Sequence, residues 1–491
     1  MHRLTLNHLI AALAGILVSS LASAEPVIQS LTAPVMRIVS AEQAHARAQQ
    51  LELLASDAAE VTDIPAFSRS GTGKASLQPL YSSQQGSWPF ESFVHAGLFK
   101  VIGSYQVKHP RMVQISGGHL TLTQVRQQLG DSEALRPHRD GYLLTYPLMI
   151  APGATLSIED THLYLYAHSG AAIINQGRLQ IIRSGVESWS GESGKERAYR
   201  PFIMAWAGSQ TRIVDSQLSR LGYNAHLARG LSAARSVHQA ASVPPARLLI
   251  RGSTLEQLSS VQLQNSDALI QASSFRQMQL YAIDAENSRL NADGNSIDEV
   301  RNHSGIRLRG ASRALLLNND IRRTGKAGIE LSSFSGTLLA RANVLNDNAT
   351  HAVQLREMDA RGVVVLHDNR LAHANQNLVD AHSAGHLLLR GNRLADAGHA
   401  ISLQGAGQVL ILDNQFAAIE QSGLKSIGVQ QLLLGGNQFD AKVIRQRLFE
   451  GDLLPVQSHI VEATISQACY LQIGAGADDQ SQQQALCPAP N

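Results

Sequence analysis

The sequence predicts an all-β fold, a right-handed parallel β-helix built from coils of 22 to 26 residues. The first observation is a repeat, because the asparagines of seven similar segments lie 24, 24, 26, 23, 22 and 23 residues apart. The second is the presence in each unit of short aliphatic strands that are separated by glycine, asparagine and aspartate turns. The third is a low aromatic content of 5%. The repeated asparagines are Asn295, Asn319, Asn343, Asn369, Asn392, Asn414 and Asn437.

One such coil is too small to bury its own aliphatic face, so coils are expected to stack and share a continuous core. An asparagine at a fixed corner can adopt a left-handed backbone conformation and donate hydrogen bonds along the stack. We therefore predict a structural role for the asparagine ladder, and we expect Ser216, Ser253 and Ser274 to continue it upstream. Leucine-rich repeats have a similar period, but they would show a fixed leucine consensus and a helical return.

The N-terminus has the features of a secretory signal peptide over residues 1–24. A basic start precedes an apolar run from Leu9 to Leu21, and the small residues 22–24 form a cleavage site. A single-pass membrane anchor is the competing interpretation, but the short apolar run favours export. We expect a periplasmic protein that does not span a membrane.

Residues 25–135 are predicted to be an N-terminal capping region with a small α-helical content. It contains a helix over 40–55 that starts with a Ser-x-x-Gln capping box, a polar linker over 68–87, and a second helix over 121–129 that would cap the first coil. The β-helix itself is expected to occupy 136–450.

The predicted C-terminal cap, residues 451–491, contains both cysteines of the chain, Cys469 and Cys487. In an oxidising compartment these two would form a disulfide, and two unpaired thiols are the alternative. The net charge of +2 gives no indication of a nucleic-acid partner. The histidines lack recognised metal-ligand spacing and no glycine-rich phosphate loop is present, so we expect no metal and no cofactor.

Side chains alternate across a strand, so stacked coils place outward residues in columns about 4.8 Å apart from coil to coil. Such columns can form a groove for an acidic polysaccharide or a solvated ladder of ion pairs, and both interpretations stay open. The first column comprises Asp284, Arg307, Glu330, Gln354, Asp380, Ser402 and Lys425. The second comprises Glu286, Arg309, Ser332, Arg356 and His382.

Four segments of the chain resemble the periplasmic alginate (mannuronan) C-5 epimerases in order and separation. The resemblance implies a periplasmic β-helix that converts mannuronate to guluronate within a finished polymer, without metal, and that also belongs to a secretion complex. Other periplasmic secretion proteins are therefore expected partners beside the polysaccharide. The segments are "YLLTYPLMIAPGATLSI" (142–158), "RPFIMAWAGSQT" (200–211), "SRLGYNAHLARGLS" (219–232) and "YAIDAENS" (281–288).

The signature strand of that family reads Tyr-Gly-Ile-Asp-Pro-His-Asp, and its histidine is the base that removes the C-5 proton. In this chain the strand reads Tyr-Ala-Ile-Asp-Ala-Glu-Asn, so that Glu286 occupies the position of the histidine. A family arginine that neutralises the sugar carboxylate corresponds to Gly310, which follows Arg309. Two catalytic positions of the resembling family are thus changed.

C-5 epimerisation requires a base, an acid on the opposite face of the sugar, and a cation beside the developing enolate. The candidates are Glu286 as base, Arg307 or Arg309 as cation, and Tyr281 or His303 as acid. Asp284, the motif aspartate, belongs with the catalytic candidates. The predicted substrate-binding residues are Arg307, Arg309, Glu330, Arg356 and His382.

Two alternatives remain at this point, a catalytically inactive β-helix that binds or guides the polysaccharide and a polyuronate lyase. A lyase shares the proton abstraction and then expels the group at C-4. The aromatic residues Phe202, Trp206 and Tyr223 are either sugar platforms or packing residues of the segments around them, and packing is the favoured interpretation.

Overall fold

The computed structural model describes residues 35–474, except for 58–59, 81–85, 95–96, 108, 193–198, 383–384 and 441–446. The predicted signal peptide and Cys487 lie outside the described residues, whereas Cys469 is fully buried. The signal peptide and the disulfide therefore remain predictions. Within the described ranges, no helix is long and apolar enough to cross a membrane.

The chain folds as a right-handed parallel β-helix, as predicted, and its coils contribute strands to three faces, A, B and C. Faces B and C merge near the C-terminal end through two long strands, Arg393–Gln404 and Gln415–Ile427. The parallel strands of face A are His119–Thr121, Thr155–Glu159, Arg178–Ile182, Gln210–Val214, Ala246–Arg251, Ser266–Gln271, Arg289–Asp293, Arg313–Leu317, Thr337–Arg341, Val363–His367, His386–Arg390, Gln408–Leu412 and Gln431–Gly435.

Face B starts with the strand Gly141–Leu144, which also pairs antiparallel with Leu135–His138. The further strands of face B are His162–Tyr166, Gly185–Trp189, Gln217–Ser219, Thr254–Glu256, Ser274–Met278, Ser296–Val300, Asp320–Thr324, Val344–Asn346, Arg370–Ala372 and Gln438–Phe439. Those of face C are Arg111–Ser116, Leu148–Ile150, Ile173–Asn175, Ile203–Trp206, Gly230–Ala234, Ser260–Gln264, Ile283–Glu286, Ile306–Gly310, Ile329–Phe334, Val353–Arg356, Asn377–His382 and Arg447–Gly451.

The interior of the coils is aliphatic and forms one continuous core. On face C, for example, Leu308, Leu331 and Leu355 lie in register on successive coils and are fully buried. Burying one leucine side chain contributes about 1.5 to 3 kcal/mol. The residues between these leucines point outward, so the inward column fixes which side chains face the solvent.

The asparagine ladder is confirmed at the corner between faces A and B. The side chain of Asn319 donates to Ala292 O and to Oδ1 of Asn343, each at 2.9 Å, and its backbone N–H donates to the same Oδ1. The predicted left-handed conformation belongs to the preceding residue instead, as in Asn318, whose φ is 54°. The ladder asparagine Asn319 itself is not among the residues with a positive φ.

Serines continue the ladder upstream, with one correction. Ser216 and Ser253 occupy ladder positions, but the next member is Ser273 and not Ser274. Ser273 N donates to Oδ1 of Asn295 at 3.0 Å, whereas Ser274 already belongs to the following face B strand.

The N-terminal end of the stack is closed by the helix Leu122–Leu129, close to the prediction. Thr121 and Gln124 form its capping box, and the helix buries Leu122 and Val125 against the first coils. The parallel stack begins earlier than residue 136, because Arg111–Ser116 and His119–Thr121 already pair in parallel with later strands.

The segment predicted to be a linker contains the strand Lys74–Pro79, which pairs antiparallel with Arg111–Ser116. Two helices follow it, Glu91–Val94 and Leu98–Gln106. Phe90, Phe93, Phe202 and Trp206 belong to one buried cluster over the outer side of the early face C strands.

The helix predicted over 40–55 is present as Ala41–Asp57, but it lies at the other end of the molecule. It packs on the outer side of late face A strands, where Ala48 and Leu51 contact a cluster that includes Leu388. The strand before it, Met36–Val39, pairs antiparallel with Tyr470–Gly474. The strand Tyr470–Gly474 also pairs antiparallel with Gln431–Gly435. The strands Met36–Val39 and Tyr470–Gly474 therefore close the C-terminal edge of face A together.

The remaining turns of helix at this end are Leu454–Val456, Gln457–Val461 and Glu462–Ser466.

Candidate functional site

The two predicted outward columns exist on face C. In the first, Asp284 is in register with Arg307, Arg307 with Glu330, and the series continues through Gln354, Asp380, Ser402 and Lys425. In the second, Glu286 is in register with Arg309, which is followed by Ser332 and Arg356. The period-two alternation of face C produces both columns, because the inward residues between them are locked in the core.

Asp284 is the centre of a charge cluster within these two outward columns, which together we call the groove. Its side chain is only 1% exposed, and Arg307 binds both carboxylate oxygens, with Nε at 2.9 Å and Nη2 at 2.7 Å. Arg229 donates to the same carboxylate at 3.0 Å. A carboxylate that is buried and bonded to two guanidinium groups holds these side chains in place.

Arg309 extends the cluster toward the solvent. Its Nη2 lies 2.9 Å from Oε2 of Glu286, and its Nε lies 3.7 Å from Oδ1 of Asp284. The side chains of Arg309 and Glu286 are 28% and 33% exposed, so both reach the groove surface. Asp284, Arg307, Arg309 and Glu286 are thus brought together as predicted.

Gly310, at the position of the family arginine, cannot present a side chain to this groove. Its φ is +59°, and a Cβ there would lie 2.2 Å from Oδ1 of Asn287. The side chain of Asn287 accepts a hydrogen bond from Ala311 N and fills that space. The last cationic side chain of this strand is therefore that of Arg309, one residue earlier.

Tyr281 and His303 lie at the other side of Asp284. The guanidinium of Arg307 is 4.0 Å from the centroid of the Tyr281 ring, and His303 stacks on this ring with centroids 4.7 Å apart. Burial raises the pKa of Tyr281 to about 12. Burial, and then the charge of Lys326, lower the pKa of His303. At neutral pH the tyrosine is therefore protonated, and the histidine is neutral.

The other predicted binding residues lie further along the stack. Glu330 accepts a hydrogen bond from Ser304 Oγ at 2.5 Å and forms no ion pair with Arg307 within the described residues. Arg356 and His382 are separated from the Asp284 cluster by the coils in between. The ladder of ion pairs that the sequence suggested along the first column is thus limited to the pair of Asp284 and Arg307 and does not continue to Glu330.

Sequence reasoning did not identify Arg229 as a site residue. It lies in the loop between Gln217–Ser219 and Gly230–Ala234, within one of the segments that resemble the epimerases. Phe202 and Trp206 are fully buried, and Trp206 Nε1 donates to Pro89 O at 2.8 Å. Tyr223 packs on the same cluster, so the three aromatic residues are packing residues, as the favoured interpretation predicts.

No group of three histidine, cysteine or acidic side chains suited to a metal ion occurs in the part of the chain that the structure describes. The site is instead a row of fixed guanidinium and carboxylate groups along parallel strands. Guanidinium groups bind carboxylates with matching planar geometry. The fold and the site therefore define a parallel β-helix that carries a row of charged side chains along one face.

Comparisons with known proteins refine this class. Residues 244–386 match the family described as "Right handed beta helix region". The chain is 32% identical over 131 residues to the mannuronan C5-epimerase AlgG of Azotobacter vinelandii, an alignment covering 25% of each protein. A mannuronan C5-epimerase of Pseudomonas putida is 23% identical over 380 residues, which covers 72% of this chain and 71% of the relative. The family resemblance predicted from the four segments is confirmed, and the chain is a distant relative of these proteins.

Solved structures show the same fold. A crystal structure of a mutant of the periplasmic alginate epimerase AlgG superimposes with a TM-score of 0.63 at 17% identity, covering 78% of this chain and 95% of that one. A second crystal structure of AlgG gives a TM-score of 0.56 at 19% identity, covering 74% and 82%. The chain spans about a quarter of the length of the Azotobacter vinelandii epimerase that it matches.

Proposed function

We propose that this chain is an exported, periplasmic C-5 epimerase of an acidic polysaccharide of the alginate type, acting by abstraction of the C-5 proton. The observation that carries the proposal is the cluster in which buried Asp284 orients Arg229, Arg307 and Arg309 beside the exposed carboxylate of Glu286. The curated relatives, which are mannuronan C5-epimerases, support the substrate class.

Arg309 is the proposed cation for the carboxylate of the sugar. Removal of the C-5 proton leaves an electron pair that spreads into this carboxylate, and a guanidinium held in advance stabilises that charge. Arg309 is already oriented by Asp284 and Glu286, so it requires little reorganisation when the polymer binds. The side chain of Arg307 is more buried than that of Arg309 and stacks on the ring of Tyr281. We therefore assign it a positioning role within the cluster.

Glu286 is the proposed base. It occupies the groove position beside the cation, and one third of its side chain is accessible to a sugar. Of the two predicted acids, Tyr281 carries a proton at neutral pH, because burial raises its pKa to about 12. His303 is neutral there, which disfavours it as a cationic acid. These catalytic roles remain predictions.

The test is incubation of residues 25–491 with polymannuronate in heavy water, followed by NMR. We expect deuterium at C-5 and new guluronate signals with the native chain. Arg309→Gln should lower the rate of exchange at least about a hundredfold, since one preorganised donor at a developing oxyanion is typically worth that much.

Arg322→Gln is the matched control. Arg322 is an exposed arginine on face B that pairs with Asp320, away from the groove. It should leave exchange and guluronate formation unchanged. No deuterium at C-5 with the native chain, together with salt-sensitive polymer binding that Arg309→Gln abolishes, would replace the epimerase proposal by that of a binding protein.

A further inference from the structure

A second strand on face C repeats the chemistry of the signature strand. Asp380 and Ala381 lie in the same columns as Asp284 and Ala285, four coils further along the stack, and His382 follows them in the strand as Glu286 follows Asp284 and Ala285. At about 4.8 Å per coil, the two strands are about 19 Å apart along the groove. At the position that corresponds to Glu286, this second strand has a histidine, His382.

Asp380 lies where its carboxylate can orient the ring of His382. Its side chain is 5% exposed, and its Oδ1 lies 3.3 Å from Nε2 of His382 and accepts a hydrogen bond from Asn377 Nδ2 at 3.0 Å. The His382 side chain is 41% exposed. A carboxylate on Nε2 holds the proton on that nitrogen, so Nδ1 carries the lone pair that accepts a proton.

The second oxygen of Asp380 faces another histidine, His351, whose Nε2 lies 3.7 Å away. His351 is 3% exposed, and burial lowers its pKa. It is therefore neutral at pH 7 and leaves the negative charge of Asp380 available to His382. This is the arrangement in which a carboxylate stabilises the imidazolium formed by proton transfer.

A cation accompanies the pair on the preceding coil. The guanidinium of Arg356 binds the amide oxygen of Gln354 through Nη2 at 2.9 Å and Nε at 3.2 Å, in the amide orientation that satisfies both groups. Unlike Arg307 and Arg309, it forms no ion pair with a carboxylate among the residues described. Its charge is thus available to a carboxylate of the substrate.

We propose that Asp380, His382 and Arg356 form a second uronate subsite in which His382 is a base for C-5 proton abstraction. The inference rests on the proposed function and deepens it. The C-5 proton moves to Nδ1 of His382, and the electron pair of the broken C–H bond spreads into the sugar carboxylate beside Arg356. A solvent water on the opposite face returns a proton to C-5, and the proton on His382 passes to the resulting hydroxide, so that the inversion is complete and the base is restored.

The experiment compares C-5 deuterium exchange in four variants on polymannuronate. Glu286→Gln should retain measurable exchange, because His382 still acts, and the double variant Glu286→Gln/His382→Gln should fall at least about tenfold below it. In the same Glu286→Gln background, Asp380→Asn should lower kcat with little change in KM, because Asp380 positions His382 without contacting the sugar.

His373→Gln in the Glu286→Gln background is the matched control. His373 follows a face B strand and binds Asn346, so its loss should not alter exchange. If the native chain exchanges C-5 and Glu286→Gln alone falls to background, the second subsite is overturned while the proposed function stands. If exchange in the double variant equals that in Glu286→Gln, His382 is not a base. If the native chain itself gives no exchange, both proposals fail.

Discussion

Two sets of stacked side chains in this molecule, the asparagine ladder and the outward columns of face C, both repeat once per coil. They differ in where they lie and in how much the chemistry of their members varies. The asparagine ladder is buried at a corner, and each of its members donates at about 2.9 Å to a carbonyl of the preceding coil and to the asparagine of the next coil. The outward columns of face C lie on the groove, and their members change from coil to coil between acid, base and amide. Stacking thus enforces position in both sets, but it enforces chemical identity only in the ladder, where each side chain bonds to the same side chain of the next coil.

The difference follows from the cost of an unsatisfied polar group. In the ladder, a backbone N–H and a side-chain amide both depend on one buried oxygen, so a substitution leaves donors without partners. At partly exposed positions of the groove, such as Arg309 and Glu286, water can replace a lost partner. The side chains on this surface can therefore differ from coil to coil.

The largest effect is expected from Asn369→Ala in the middle of the ladder. The side chain of Asn369 accepts from the backbone and side chain of Asn343 and donates to Ala340 O and Asn392 Oδ1. Its loss should lower the free energy of unfolding by about 3 to 5 kcal/mol, since several buried groups lose partners. Urea unfolding followed by circular dichroism measures this.

Asn346→Ala is the control for that substitution, because Asn346 is a face B asparagine whose side chain bonds to exposed neighbours. It should cost no more than about 0.5 kcal/mol. Equal losses in the two variants would contradict the assignment of the ladder as the structural column.

A smaller loss is expected from Asp284→Ala, the most buried member of the groove column. It leaves Arg229 and Arg307 without their carboxylate, but both arginines are about a fifth exposed and can recruit water. We expect a decrease of about 2 to 3 kcal/mol in the same unfolding measurement, below the usual cost of breaking a fully buried pair.

A double-mutant cycle sharpens this prediction. Adding Arg307→Leu to Asp284→Ala should cost less than the sum of the single effects, because the second change removes one of the stranded charges. Strict additivity would mean that the ion pair does not couple the two coils.

The smallest effect concerns pH. Burial lowers the pKa of His351 below its ordinary value of 6.5, so the unfolded chain binds a proton more readily than the folded chain. The stability gained from the neutral folded form is therefore present above about pH 6.5 and is lost as the pH falls below it. His351→Gln should reduce this slope by at most about 1.4 kcal/mol per pH unit.

Unfolding curves at pH 7.5 and 5.5 measure the slope. His119 and His138 also have pKa values lowered by burial, so the variant should retain part of the dependence. Parallel profiles for the variant and the native chain would exclude His351 as a contributor.

Periodicity made the coils and both groove columns predictable from sequence, because side-chain alternation transfers directly from one coil to the next. Arg229 was not predictable in the same way, since its loop departs from the coil period and meets Asp284 only in three dimensions. Ser273 was missed by one residue, because adjacent serines leave the ladder position ambiguous in sequence.

The location of the first helix was missed for a different reason. The strand Met36–Val39 and the helix Ala41–Asp57 have local signals for their conformation but none for their distant partners. Antiparallel pairing between the two chain regions has no repeat to reveal it.

This pairing also has a consequence for the order of folding. Arg37 bonds to Gln472 across 435 positions of sequence, so the first described strand has no partner until nearly the whole chain exists. The coils between them need only neighbours about one period away, and they can assemble progressively. The segment made early is thus incorporated late, after the coils between it and its partner strand have been made.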